Sequence, residues 1–327
     1  MILVTGGTGF IGTHLLEMLA AKGESVRGIV RTRTPRHTAV PRTLPAGVET
    51  VYGDLASGDG LAEALGGADV VIHLAGVTKA LGPEDYYRGN VHATDQLVRA
   101  MAGRGMRLVH VSSLAAIGPA KPGAPLTEDA EPHPFTHYGK SKLLAERVVR
   151  ELAPDAVIVR PPVVYGPRDT DVFPLLKSIS KGLVLEMAGG ERWFSAIYVK
   201  DLVEGLLTAA RAPRAAGRTY FLAHAKPVSW RQLGDSAARI MARRPPRVVK
   251  VPFAVAHAVG AYAEFWAHLC GKPGIVSREK IAEARCMAWT CDTTRAQEDL
   301  GFVAPTSLYQ GLVQTLAWYK EAGWLTY

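Results

Sequence analysis

The run ILVTGGTGFIGTHLLEML over residues 2–19 does most to limit what this chain can fold into. Ile2, Leu3 and Val4 read as a short, fully buried strand, and Ile11, Leu15, Met18 and Leu19 recur at helical spacing until Gly23 ends the pattern. Between strand and helix, Gly7, Gly9 and Gly12 fit Gly-x-Gly-x-x-Gly, where missing side chains permit a tight turn, close approach of a pyrophosphate and close helix packing. The helix that follows offers free backbone N–H groups to a phosphate. Strand, turn and helix in this order predict a dinucleotide site.

In such a unit an acid about 20 residues after the glycines normally holds the ribose 2'-hydroxyl. Here no Asp or Glu occurs from Ser25 to Val48, while Arg31, Arg33 and Arg36 cluster past the second strand. Guanidinium groups suit a 2'-phosphate, so NADP is favoured, with NAD the alternative.

Further along, VETVYGD near residue 48, DVVIHLAG near 69, RLVHVSS near 107 and AVIVRPP near 156 alternate with helical patterns, the rhythm of parallel βαβ units. Beyond PPVVYGP (161–167) the segments become irregular and mostly helical. The expected fold is α/β, a Rossmann-type doubly wound parallel sheet with a smaller, mostly helical C-terminal substrate lobe. Residues 1–167 form the first part, with parts of 195–225 returning to it, and 168–327 form mainly the second.

The net charge of +8 is carried partly by the arginine cluster and by ARRPPRVVK (242–250). No nucleic-acid motif accompanies it, so a phosphorylated cofactor explains it better than nucleic acid. Cys270, Cys286 and Cys291 have neither CxxC spacing nor an even count, which argues against a disulfide framework and a metal site. A strand starting at residue 2 leaves no room for a cleavable leader, and the expected location is cytoplasmic.

Chemistry is expected at HYGKSK (137–142), which opens a helix. Tyr138 and Lys142 stand four apart on one helix face, so an ammonium near the phenol would favour phenolate. This is the only Tyr-x-x-x-Lys in a chain with 11 tyrosines, and it follows a strand ending in Ser112 and Ser113.

Taken in order, TGGTGFIG (5–12), GDL (53–55), HLAG (73–76), Asn90 in GNVHAT, VSS (111–113), YGKSK (138–142) and RPPVVYGP (160–167) resemble the extended short-chain dehydrogenase/reductase family, also called the NAD-dependent epimerase/dehydratase family. SAIYVKDLVEGL (195–206) and DLGFVAPTSLYQGL (299–312) extend a looser resemblance. The resemblance implies Tyr138 as acid/base, Lys142 as its electrostatic partner and ribose ligand, and Ser113 as the substrate-oxygen donor. It implies Asn90 as support for the active-site helix and its water. It also implies a cofactor set of Gly6, Gly9, Phe10, Ile11, Gly12, Asp54 beside the adenine, Leu55, Ala75 and Gly76, with Arg31 added by the charge argument. A homodimer through the active-site helices would follow by analogy.

Departures from the family pattern narrow the branch. Dehydratase members place acids directly after the active-site hydroxyl residue, whereas Leu114 and Ala115 follow Ser113. Nucleotide-sugar members usually carry asparagine where this chain has Val163. VPFAVAHAVGAYAEFWAHLC (251–270) is apolar around most of a helix, with His257, Glu264 and His268 on one narrow stripe. It reads as a largely buried helix, as a greasy wall over a pocket, or as an interfacial helix on lipid. In arrangement this lobe looks like those of 3β-hydroxysteroid and sterol-carboxylate dehydrogenases. The expectation is an NAD(P)-dependent oxidoreductase acting on a secondary alcohol or ketone of an apolar, sterol-like or lipid-like small molecule, with peripheral membrane contact through 251–270. A nucleotide-sugar 4-epimerase is the alternative, and a cofactor-binding subunit without turnover a third reading.

Overall fold

The computed structural model describes residues 1–31, 43–274 and 276–327. A seven-stranded sheet is built from β1 (Ile2–Thr5), β2 (Val26–Val30), β3 (Glu49–Tyr52), β4 (Val70–His73), β5 (Arg107–Val111), β6 (Val157–Val159) and β11 (Thr219–Tyr220). Its order is β11-β6-β5-β4-β1-β2-β3 and every pairing is parallel. The order reverses direction between β1 and β4, the switch point where doubly wound sheets open a crevice at their carboxyl edge.

Alternation along the strands explains why both faces are covered. Val4, Ile72, Val109 and Val157 face one way and pack with Leu15, Leu16 and Leu19 of α1 (Phe10–Ala21) and with Leu202 and Leu206 of α7 (Val199–Arg211). Leu3, Val71, Leu108 and Ile158 face the other way. There they meet Leu61 and Leu65 of α2 (Leu61–Leu65), Leu97 of α4 (Ala93–Met101) and Val149 of α5 (His137–Leu152). A strand buried on both faces needs the continuous apolar runs seen in the sequence.

The remainder of the chain builds over the carboxyl edge. It contains α3 (Pro83–Tyr86), α6 (Phe173–Ser180), α8 (Trp230–Ile240), α9 (Phe253–Cys270), α10 (Arg278–Arg285) and α12 (Leu308–Glu321), whereas α11 (Thr294–Leu300) packs against the core of the large sheet through Ala296 and Leu300. Three small sheets accompany them: β7 (Val163–Tyr165) with β10 (Ala196–Tyr198), β9 (Trp193–Phe194) between β12 (Val228–Ser229) and β14 (Ala288–Trp289), and β8 (Leu183–Met187) with β13 (Arg247–Val251). Most of these strands are two or three residues long, too short for a period of two to show in sequence. Their core joins Tyr165, Tyr198, Leu176, Leu233, Leu312, Leu316 and Tyr319. Among the described residues no helix is long and apolar enough to cross a membrane.

Candidate active site

The glycine turn shows why side chains are excluded from it. Gly6 has φ +72°, and a Cβ there would lie 2.7 Å from the Ala75 backbone nitrogen, so the ends of β1 and β4 touch at this point. A Cβ on Gly12 would lie 2.2 Å from the Gly6 carbonyl oxygen. Gly7 serves packing instead, because a Cβ would meet Leu16 Cδ1 at 2.6 Å. Gly9 precedes α1 and no side chain caps the helix, which leaves the first-turn N–H groups of Phe10, Ile11 and Gly12 without intrahelical partners. This is a cradle for an anion at a helix N-terminus.

Beyond β3, Asp54 sits at the same sheet edge, its carboxylate accepting from the Ala56 N–H at 2.8 Å. The Leu55 side chain turns into the core with Val51 and Leu61, so only its backbone faces the edge. Arg31 is exposed immediately after β2. Arg33 and Arg36 lie outside the described residues.

Under this edge runs a buried polar chain. His73 Nδ1 meets Thr5 Oγ1 at 2.6 Å, His73 Nε2 meets Thr94 Oγ1 at 3.0 Å, and the Thr94 hydroxyl donates to the Asn90 carbonyl at 2.6 Å. Asn90 lies in a π-helical turn, Tyr87–His92, that widens the helix between α3 and α4 and aims the amide inward. Its Oδ1 accepts from the Val77 N–H at 2.6 Å, and its Nδ2 donates to the Val77 carbonyl at 3.0 Å and to Ser141 Oγ at 2.9 Å. Ser141 in turn donates to the Tyr138 carbonyl at 2.7 Å. Asn90 therefore ties the loop after β4 to the first turn of α5. That turn is set by Thr136, whose hydroxyl caps the Gly139 N–H at 3.1 Å.

Lys142 is buried, and Nζ donates to the Val111 carbonyl at 2.8 Å. Burial pushes its ammonium down to about 8, with Glu146 one turn along pulling the other way. Gly76 crosses above it; a Cβ there would lie 3.0 Å from Asn90 Oδ1 and 3.8 Å from Lys142 Nζ. The two histidines below are neutral. Burial and then Lys142 push His73 down to about 3, and the same causes hold His110 well below its ordinary value.

Tyr138 is half-buried at the start of α5. Burial raises its phenol above the ordinary value, offset by the Ser113 hydroxyl beside it and by the ammonium of Lys280. A second ammonium not expected from the sequence lies over the ring, that of Lys280 of α10, its Nζ 5.8 Å from the ring centroid. Tyr86 also lies beside it, the two rings tilted at 55° with centroids 6.2 Å apart. Glu279 of α10 accepts the His137 N–H at 2.9 Å, which fixes α10 as a roof over the first turn of α5. Lys280 and Tyr86 were not anticipated. Lys280 lies 142 residues from Tyr138 in a short polar helix, and no local pattern marks it.

The structure thus gathers Asn90, Ser113, Tyr138, Lys142 and Gly76 at one edge, with the glycine turn and Asp54 along the same edge. Among the described residues no group of three or more His, Cys, Asp and Glu is placed to hold a metal ion.

The profile of the NAD dependent epimerase/dehydratase family matches residues 2–223. The chain is 31% identical to the ceramide reductase of Caulobacter vibrioides over 325 residues, covering 99% of this chain and 96% of that one. It is 30% identical to the 4-hydroxy-2-methyl-3-oxo-4-farnesyl-3,4-dihydroquinoline-1-oxide ketoreductase of Stigmatella aurantiaca, covering 94% and 93%. The solved structure of MoeE5 in complex with UDP-glucose and NAD superposes with a TM-score of 0.77 at 27% identity, covering 98% of this chain and 99% of that one. With fold, glycine cradle and motif order in agreement, the chain belongs to the NAD dependent epimerase/dehydratase family and is an NAD(P)-dependent enzyme of the extended short-chain dehydrogenase/reductase type.

Proposed function

We propose that this enzyme interconverts a secondary alcohol and a ketone on an apolar, lipid-like or sterol-like substrate, with NADP favoured over NAD. The reading divides the chain into a cofactor lobe, 1–167 with parts of 195–225, and a mainly substrate-binding lobe, 168–327. The observation that carries it is that, among the described residues, no free carboxylate lies beside Tyr138 to act as a second base. Leu114 after Ser113 is buried in an apolar cluster. The two carboxylates acting on the phenol, Asp171 and Glu283, are each held in an ion pair, with Lys79 and with Lys280. Proton transfer at the substrate oxygen is then left to Tyr138, and elimination of water lacks a partner.

The cradle of Gly6, Gly9 and Gly12, the free first turn of α1, and Lys142 beneath Gly76 fit a nicotinamide dinucleotide, whose bound form would exchange hydride with the substrate carbon. Ser113 donates a hydrogen bond to the substrate oxygen while Tyr138 gives or takes its proton. Lys142 would hold positive charge at Nζ and would bind the ribose of that dinucleotide. Asn90 keeps α5 in register with the loop after β4 and supports the water that serves the active-site helix. Arg31 answers a 2'-phosphate. The likeness to a ceramide reductase and to a ketoreductase of a farnesyl-bearing dihydroquinoline oxide supports the substrate class.

The likeness to MoeE5 with UDP-glucose favours a second reading, a nucleotide-sugar 4-epimerase using the same groups. Turnover separates the two. Cofactor-loaded enzyme is offered long-chain and sterol ketones with NADPH or NADH, and UDP-sugars in parallel. Oxidation of the reduced cofactor by apolar ketones is the expected result; epimerisation of a UDP-sugar with no ketone reduction would overturn the proposal.

A further inference from the structure

Helix α9 carries its apolar side outward. Val255, Val259, Tyr262, Phe265 and Leu269 are 54–67% exposed and Trp266 is 44% exposed. At 100° per residue these six fall within about 120° of the helix circumference. The opposite side is the packed one. Gly260 is buried, and a Cβ there would lie 2.6 Å from Ile281 Cδ1 of α10. Glu264 turns inward and accepts the Arg278 N–H at 2.8 Å while pairing with the same residue's guanidinium. The helix is therefore neither buried nor a wall around a cavity. Among the described residues its apolar face is unpartnered.

Its charge setting says what would cover it. Residues 243–285 hold eight Lys or Arg against three Glu, a net +5 within a chain whose total is +8. All three glutamates are engaged: Glu264 with Arg278, Glu283 with Lys280, and Glu279 with the His137 N–H. Arg243, Arg244, Arg247, Lys250 and Lys272 are exposed and, among the described residues, in no ion pair. Arg247 and Lys250 belong to β13, which runs straight into α9, and Lys272 follows its C-terminal end. Cations thus bracket the apolar face at both ends.

We propose that α9 and its basic flanks dock on an anionic lipid bilayer, the helix lying in the interface with its apolar face among the acyl chains. A second copy of the chain is the poorer occupant, because a twofold contact would set +5 against +5. Docking also places the cleft. The inner side of α9 holds α10, and α10 roofs Tyr138 through Lys280 and Glu279. A lipid-like alcohol or ketone can then pass from the bilayer to Tyr138 without crossing water. This last link rests on the apolar-substrate reading; docking itself does not.

The test uses the full-length, cofactor-loaded enzyme with vesicles of phosphatidylcholine alone and of phosphatidylcholine mixed with phosphatidylglycerol. Cosedimentation with the anionic vesicles should weaken as salt rises. Phe265→Ser/Trp266→Ser should weaken it by about 100-fold, and Arg243→Gln/Arg244→Gln/Arg247→Gln/Lys250→Gln by about 600-fold, the four basic residues contributing about fivefold apiece. Melting temperature, cofactor affinity and turnover of a small water-soluble ketone should hold in both variants, while turnover of a vesicle-embedded ketone falls about tenfold or more. Equal affinity for the two vesicle types, no binding to either, or a dimer that separates in Phe265→Ser/Trp266→Ser without vesicle binding would overturn docking. Vesicle binding without reduction of any ketone would sink the apolar-substrate reading and leave docking standing.

Discussion

Lys142→Met should make the enzyme inactive and more stable. An ordinary lysine titrates near 10.5, and burial pushes Lys142 down to about 8. At about 1.4 kcal/mol for each tenfold change, keeping that ammonium charged costs the folded state about 3 kcal/mol at neutral pH. Methionine fills a similar volume without charge but leaves the Val111 carbonyl without its donor, a loss of about 1 kcal/mol. The net gain is about 2 kcal/mol. Unfolding of 327 residues carries roughly 0.7 kcal/mol per degree of entropy, so Tm should rise by about 3 °C. The pH dependence is the sharper signature. Below about pH 8 both folded and unfolded lysine are protonated and the full cost stands. Between about 8 and 10.5 the unfolded chain binds more protons, so the parent gains stability as pH rises, and above 10.5 the cost is gone. Urea melts of cofactor-free parent and variant across this range would show a difference that is flat at low pH, closes through that window and reverses by about 1 kcal/mol above it, where only the lost hydrogen bond remains. A variant less stable than the parent at pH 7, or a gap independent of pH, would refute the argument that Lys142 is held at a cost.

Tyr138→Phe should lower turnover by about 100-fold or more with cofactor affinity kept, as measured by steady-state rates beside a binding titration; retained turnover would remove Tyr138 from its role. Arg31→Ala should weaken NADPH by about 1.5–3 kcal/mol and leave NADH nearly untouched. Equal losses for both cofactors would mean that Arg31 is solvated and the NADP preference mistaken. Asn90→Ala removes the three hydrogen bonds to Val77 and Ser141 and should cost about 3 kcal/mol in urea unfolding, with a further loss in turnover from α5 slipping against the loop after β4. A cost below about 0.5 kcal/mol would show that Asn90 does not tie these elements.

What could be read in the sequence was local. The strand-turn-helix at residues 2–19 and the strands ending at His73 and Val111 announce themselves because a two-sided buried strand must be apolar throughout, and because Gly6 and Gly12 touch backbone. Tyr138 and Lys142 were visible as a pair on one helix face. The hydrogen bond from Lys142 to the Val111 carbonyl was not, because it depends on how the end of β5 meets α5 in the fold. Lys280 reaches the site from a helix that owes its place to contacts with α9 and His137. The outward turn of α9 was equally hidden, since an apolar helix has the same periodicity whether its greasy side faces a core or solvent.

The last strand of the large sheet arrives late. β11 pairs with β6, yet the chain between Val159 and Thr219 passes through β7, α6, β8, β9, β10 and α7 before returning. The fold is therefore interlaced, and the large sheet is not a module that residues 1–167 complete by themselves. A fragment ending at residue 167 would leave β6 as a bare apolar margin, stripped of the β11 hydrogen bonds and of the α7 leucines that cover one sheet face. Such a fragment should associate through that margin rather than bind dinucleotide. On the ribosome, the nucleotide-binding crevice is completed only after the chain has already laid down part of the lobe above it.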